Sequence, residues 1–237
     1  MNLFNWIFNR NTRYYGHIIS LGYNCEVSFQ FFLHHHFVES SLLAWANTIN
    51  IDNVISALEN PDILCTGKVE NCNPMWKCFN TGICFHGKAP AKIWNNNPSQ
   101  EVIKADKDEL LSRIEYLKQK FIQTGCDGKK NLYIFKYSPT TDTSENIISK
   151  INRLYEVLSR SVNNQFDLLI VTEQGFCPQL ENLNNNSQIF IRRVNFFTPE
   201  EAVTSKKNDR RHWKRIWQEF RPNFKLSKTK KFKFEDL

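Results

Sequence analysis

The run Ser20-Leu21-Gly22-Tyr23-Asn24-Cys25 sets a thiol just beyond a short apolar stretch, Ile18-Ile19-Ser20-Leu21, and directly ahead of a segment with helical character. Gly22 permits a tight turn between the two. A thiol at the first turn of a helix feels the positive end of the dipole, which favours the thiolate. Turn-borne nucleophiles of α/β hydrolytic enzymes occupy the same kind of place. Cys25 there can attack an acyl carbonyl, with its own backbone N–H as one oxyanion donor. The competing account is a small buried cysteine that merely begins a helix.

A thiol nucleophile needs a base, and the chain has 6 histidines. His86 follows an expected strand and precedes Gly87-Lys88, a loop position suited to a site. His212 stands three residues after Asp209, which would fix its tautomer as the third member of a triad does. Either can serve Cys25, so both remain candidates with Asp209. His34, His35 and His36 fall at the end of the first expected helix, where cations are favourable and solvent is expected. His17 begins the first strand, at the far edge from Cys25. The basic stretch Lys206, Lys207, Arg210, Arg211, Lys214 and Arg215 suits the phosphates of an acyl carrier such as a coenzyme A thioester, with Lys207, Arg210 and Arg211 as the candidate contacts. It reads equally as a solvated helix face. No other cofactor is required, and no glycine-rich phosphate cradle is present in the sequence.

Of the 7 cysteines, Cys65, Cys72, Cys78 and Cys84 cluster without any Cys-x-x-Cys pair, so no metal site is expected. The first 15 residues lack a basic region followed by a long apolar one, and no apolar run is long enough to span a bilayer. The expectation is a reduced, cytoplasmic protein. A net charge of +7 suggests an anionic partner or surface, although much of the excess sits at the C-terminus, and no nucleic acid is expected. Leu3, Phe4, Trp6, Ile7 and Phe8, with Arg10 and Arg13, can lie in a membrane interface; Lys225, Lys228, Lys230, Lys231 and Lys233 can add electrostatic attraction. Peripheral contact with an anionic inner membrane is therefore expected of the two ends. Oligomeric state is not legible.

These residues need a scaffold. Strands are expected at 18–21, 83–85, 132–137, 166–171 and 189–194, the fourth being a continuous apolar run of parallel type. Helices are expected at 25–37, at 51–58, from a cap at Asp106 to about 123, at 144–158, and from about Asp209 through Phe220. Residues 62–100 are the least readable. The alternation predicts an α/β fold: an open, mostly parallel sheet with helices on both faces, three layers in all. The expected organisation is an amphipathic N-terminal segment (1–15), one α/β domain (16–221) and a basic tail (222–237).

Ile18 to Val27, followed by Ser41-Leu42-Leu43-Ala44-Trp45, resembles a bacterial family of unknown function whose members are assigned as papain-like cysteine peptidases. That family shows Ser-Leu-Gly-x-x-Cys, then Pro-Phe-Asp-Trp, a His-containing segment, a charged helix, a strand and a Trp-rich final helix. Here Leu42-Leu43-Ala44-Trp45 lacks the acidic residue, so its role does not carry over. The chain also resembles esterases that open with Gly-Asp-Ser and end with Asp-x-x-His, matched by Asp209-Arg210-Arg211-His212. It is similar too to capsule-biosynthesis acetyltransferases that use Cys in place of that Ser. The resemblances imply a thiol acyltransferase or esterase that tailors a bacterial surface glycan. A papain-like peptidase is the second reading, and it predicts antiparallel pairing from residue 83 onward. A non-catalytic binding module is the third.

Overall fold

The computed structural model describes residues 12–37, 40–48, 50–72, 75–88, 94, 97–137, 144–185, 187–195, 197 and 209–223. The expectations for residues 1–11, for Lys206 and Lys207 and for the basic tail from 224 concern residues outside these.

A four-stranded parallel sheet organises the chain, in the order β2 (His17–Ser20), β7 (Asn131–Lys136), β8 (Phe166–Glu173), β9 (Ile189–Val194). β7 and β8 are apolar almost throughout because both their faces are covered. Adjacent residues on these strands fall into two different clusters, as the pleat requires. Ile19, Tyr133, Phe135, Leu168, Ile170 and Ile191 pack with α2 (Ile51–Glu59), α3 (Gln100–Gly125) and α4 (Ser144–Ser161). Ile18, Leu132, Ile134, Leu169, Val171 and Val194 pack with α1 (Glu26–His35) and α5 (Arg210–Glu219). The α/β class and the parallel sheet match the expectation.

Other points add to or correct the expectation. The strand expected at 83–85 is found one residue later, and residues 62–100 carry most of a separate antiparallel sheet, ordered β3 (Ala46–Asn47), β6 (Cys84–His86), β5 (Met75–Cys78), β4 (Val69–Asn71). Asp106 does not cap α3, which begins at Gln100 with Ser99 as its cap. Asp106 lies within the helix, buried, and accepts from Trp76 Nε1 at 2.6 Å and Lys88 N at 2.7 Å. The last residues of the N-terminal segment belong to the fold, since β1 (Arg13–Tyr15) pairs in parallel with β10 (Phe220–Pro222). No helix among the described residues is long and apolar enough to cross a membrane.

Candidate functional site

β2 leads into the Cys25 turn through two consecutive left-handed residues, Gly22 at φ 93° and Tyr23 at φ 78°. Gly22 is required there twice over, since a Cβ would also stand 2.8 Å from Thr48 Cγ2. Tyr23 has no such freedom and is held in place: its N–H donates to Thr48 Oγ1 at 2.5 Å, and Thr48 N–H donates to its carbonyl at 3.1 Å. A non-glycine residue in this region costs about 1–3 kcal/mol, and such strain gathers at sites where the chain must present a particular group. The group presented is Cys25, the N-cap residue of α1, whose carbonyl accepts from Phe29 N–H at 3.0 Å.

Both neighbours of Cys25 are fixed by one buried cation. Lys136, at the carboxyl end of β7, donates to Glu26 Oε2 at 2.5 Å and to Asn24 Oδ1 at 3.1 Å. Side chains of Lys136 and Glu26 are each 1 % exposed, and the ammonium lies 4.1 Å from the centre of the Phe197 ring. Asn24 Oδ1 also accepts from Glu26 N–H at 3.1 Å. This clamp was missed in the sequence, where Lys136 reads as the polar end of an apolar strand. The one available signal was its position at the carboxyl end of a parallel strand, where α/β sheets gather their functional groups.

The Cys25 side chain is 5 % exposed and clusters with Phe29, with Leu33 and Trp45 packed against them. Trp45 meets Phe29 edge-on, ring centres 5.2 Å apart. Residues 25, 29 and 33 are one stripe of α1, directed toward Trp45 and thus toward β3. In the β3–β6 pairing Ala46 stands opposite Phe85 and Asn47 opposite Cys84. The ladder ends there: residues 42–45 form a turn ahead of β3, and His86 is the last residue of β6. His86 is held by α3: Arg113 donates to its carbonyl, and the Lys88 N–H bond to Asp106 fixes the following turn. Gly87 is needed in that turn because a Cβ would stand 2.0 Å from Asp106 Oδ2.

Asp209 and His212 do form the expected dyad. His212 Nδ1 lies 2.7 Å from Asp209 Oδ1, while Asp209 Oδ2 accepts from Asn195 N–H at 2.6 Å. The buried carboxylate thereby ties the start of α5 to the end of β9. The dyad stands where β9 ends, at the carboxyl edge of the parallel sheet that also carries the Cys25 turn. Trp217 of α5 packs on Phe31 and His35 of α1, and the charges of Arg210 and Lys214 act on His34. Arg211 is exposed on α5, as is Arg210 beside α1.

Of the three histidines at the end of α1, His36 is exposed as expected, while His34 and His35 are half-buried. His35 is covered by the rings of Phe31 and Trp217, 4.8 and 5.8 Å away between centres. Burial first, then the charges of His34 and Arg221, lowers its pKa to about 4. His17 pairs with Asp127 at 2.7 Å, well away from the carboxyl edge. Among the thiols, Cys78 is held down to about 5, first by a hydrogen bond from Cys65, and Cys65 is correspondingly raised. Cys78 is 0 % exposed.

The arrangement around Cys25 can therefore supply a thiol at a strained helix start, a buried cation bracing its neighbours, and an imidazole at the end of the adjoining ladder. Compared with protein-family models, with curated proteins and with solved structures, the chain matches none.

Proposed function

We propose that the chain is a cysteine-nucleophile acyl-transfer enzyme, with Cys25 as nucleophile and His86 as the group that takes and returns its proton. The observation that carries this reading is that Cys25 clusters with Trp45, the residue before β3, while His86 ends β6, the strand paired with β3. Attack by the Cys25 sulfur on an acyl carbonyl forms a thioester and expels the leaving group, protonated by the imidazolium. Water or an alcohol acceptor then takes the acyl group and restores the thiol. Half-buried Trp45 forms the outer wall over the sulfur and must give way for substrate to enter. We read the two packing clusters of the parallel sheet as the outer layers of a three-layer α/β/α sandwich. The strand-to-helix turn at its carboxyl edge agrees with a thiol esterase or acyltransferase. Tailoring of a surface glycan, a coenzyme A thioester donor and loose inner-membrane contact follow from resemblance and composition.

Two other readings each have an observation in their favour. The antiparallel strand that carries His86 favours a papain-like peptidase, although every later pairing in the main sheet is parallel. The burial of Cys25 favours a non-catalytic binding module. Incubation with p-nitrophenyl acetate or acetyl-coenzyme A, an acid quench and peptide mapping separate them. The expected result is one acetyl group on the Cys25 peptide, much reduced in His86→Ala and unchanged in His212→Ala. Acetylation spread over surface lysines with none on Cys25 would contradict an acyl-enzyme.

A further inference from the structure

On the outward face of the antiparallel sheet, Cys72 Sγ lies 3.8 Å from Cys84 Sγ. Cys72 is exposed and Cys84 half-buried. Cys72 N–H donates to Met75 O at 2.8 Å, so Cys72 stands beside Met75 at the head of the β4–β5 hairpin. Cys84 pairs with Lys77 on the other side of β5. Met75, Lys77 and Cys84 share the outer face, because Trp76 and Phe85 between them are buried.

The strand between the two thiols decides what they can do together. A disulfide needs sulfurs about 2 Å apart and Cα atoms usually within about 7 Å. Strands separated by a third lie roughly 10 Å apart, so a direct bond would drag β4 and β6 together across β5. A single bridging atom requires no such movement. With metal–sulfur bonds of about 2.3 Å, the observed sulfur separation subtends roughly 111° at the metal, within the range of tetrahedral and trigonal sites.

We propose that Cys72 and Cys84 form a binding site for a thiophilic d10 cation, copper(I), with the Met75 thioether as third donor. A thiolate–thioether set selects a soft ion. Among the described residues no group of three or more His, Cys, Asp or Glu side chains is placed to hold a metal, so a four-ligand zinc site is not formed there. Charge balance points the same way. Two thiolates and one monovalent cation leave a single negative charge, which the Lys77 ammonium opposite Cys84 offsets. Binding exchanges two S–H bonds for two S–Cu bonds, releases two protons and needs no oxidant. Met75 pairs with His86 across β5 and β6, so the site adjoins the proposed base, but copper uptake reads it independently of Cys25 reactivity.

The test is an anaerobic titration of the reduced full chain with copper(I) against bicinchoninate, read by copper retained and by sulfur-to-copper charge-transfer absorption. One tightly held equivalent is expected, lost in Cys72→Ser and in Cys84→Ser, each with an unchanged circular dichroism spectrum. Cys65→Ser should retain it, and Met75→Leu should weaken it by roughly tenfold, the scale on which a supporting contact to a bound metal counts. Copper uptake unchanged in both serine variants would overturn the assignment. So would formation of a Cys72–Cys84 disulfide in place of copper uptake.

Discussion

Lys136 and Glu26 lose their hydration on folding and replace it in part through each other and Asn24. Removing one partner strands the other charge in a dry site, which costs about 3–5 kcal/mol, whereas replacing both with apolar groups is often neutral or better. Lys136→Met should therefore lower the urea unfolding free energy by that amount, and Lys136→Met with Glu26→Leu should recover most of it. Equal loss in the single and double variants would show that the pair is not the unit of stability. The double variant should also slow any chemistry at Cys25, because Asn24 then keeps the Glu26 backbone N–H but loses the Lys136 ammonium. At this scale the turn itself was legible: Gly22 before a thiol and a helix is a local signal. Its clamp was not, because Lys136 lies more than a hundred residues away and only the β2–β7 pairing brings it there.

Among the elements, α1 and α5 pack through Phe31, His35 and Trp217, and this contact carries a pH dependence. The folded-state pKa of His35 is depressed to about 4, so the unfolded chain binds the proton more tightly. Stability from the neutral ring is fully present above the unfolded value of about 6.5. It is lost as pH falls from there toward the folded value, with no further loss from this group below it. His34 shifts in the same direction, through burial first and then Arg210 and Lys214. Chemical unfolding followed across this window should show a shallower acid loss in His35→Phe than in the natural chain. Parallel curves for the two would remove His35 from the account. The long amphipathic helices and the apolar strands of the parallel sheet were readable because their periodicity is local. The antiparallel sheet was not, since its strands run only 2–4 residues and alternate weakly. Asp106 misled for a related reason: an acidic residue near a helix start reads as a cap, and only the fold supplies Trp76 and Lys88 as its donors.

For the molecule as a whole, the decisive feature is how two sheets meet around one turn. The parallel sheet delivers Cys25 from β2 and Lys136 from β7 to its carboxyl edge. Trp45 packs on the thiol's cluster just ahead of β3, and β3 pairs with the strand that ends at His86. The Asp209–His212 dyad, matched in spacing and formed in the structure, ties α5 to the end of β9. Sequence spacing found the dyad because its two residues lie one helical turn apart; its tie to Asn195 needed the fold. The central claim is that Cys25 answers to His86, and the most direct measurement is the rate of Cys25 alkylation by limiting iodoacetamide near neutral pH, read by peptide mapping of the native protein. The account predicts that His86→Ala slows labelling of Cys25 several-fold, on the order of the loss of a hydrogen-bonded base partner, while His212→Ala leaves it unchanged. Slower labelling in His212→Ala with no effect of His86→Ala would contradict it.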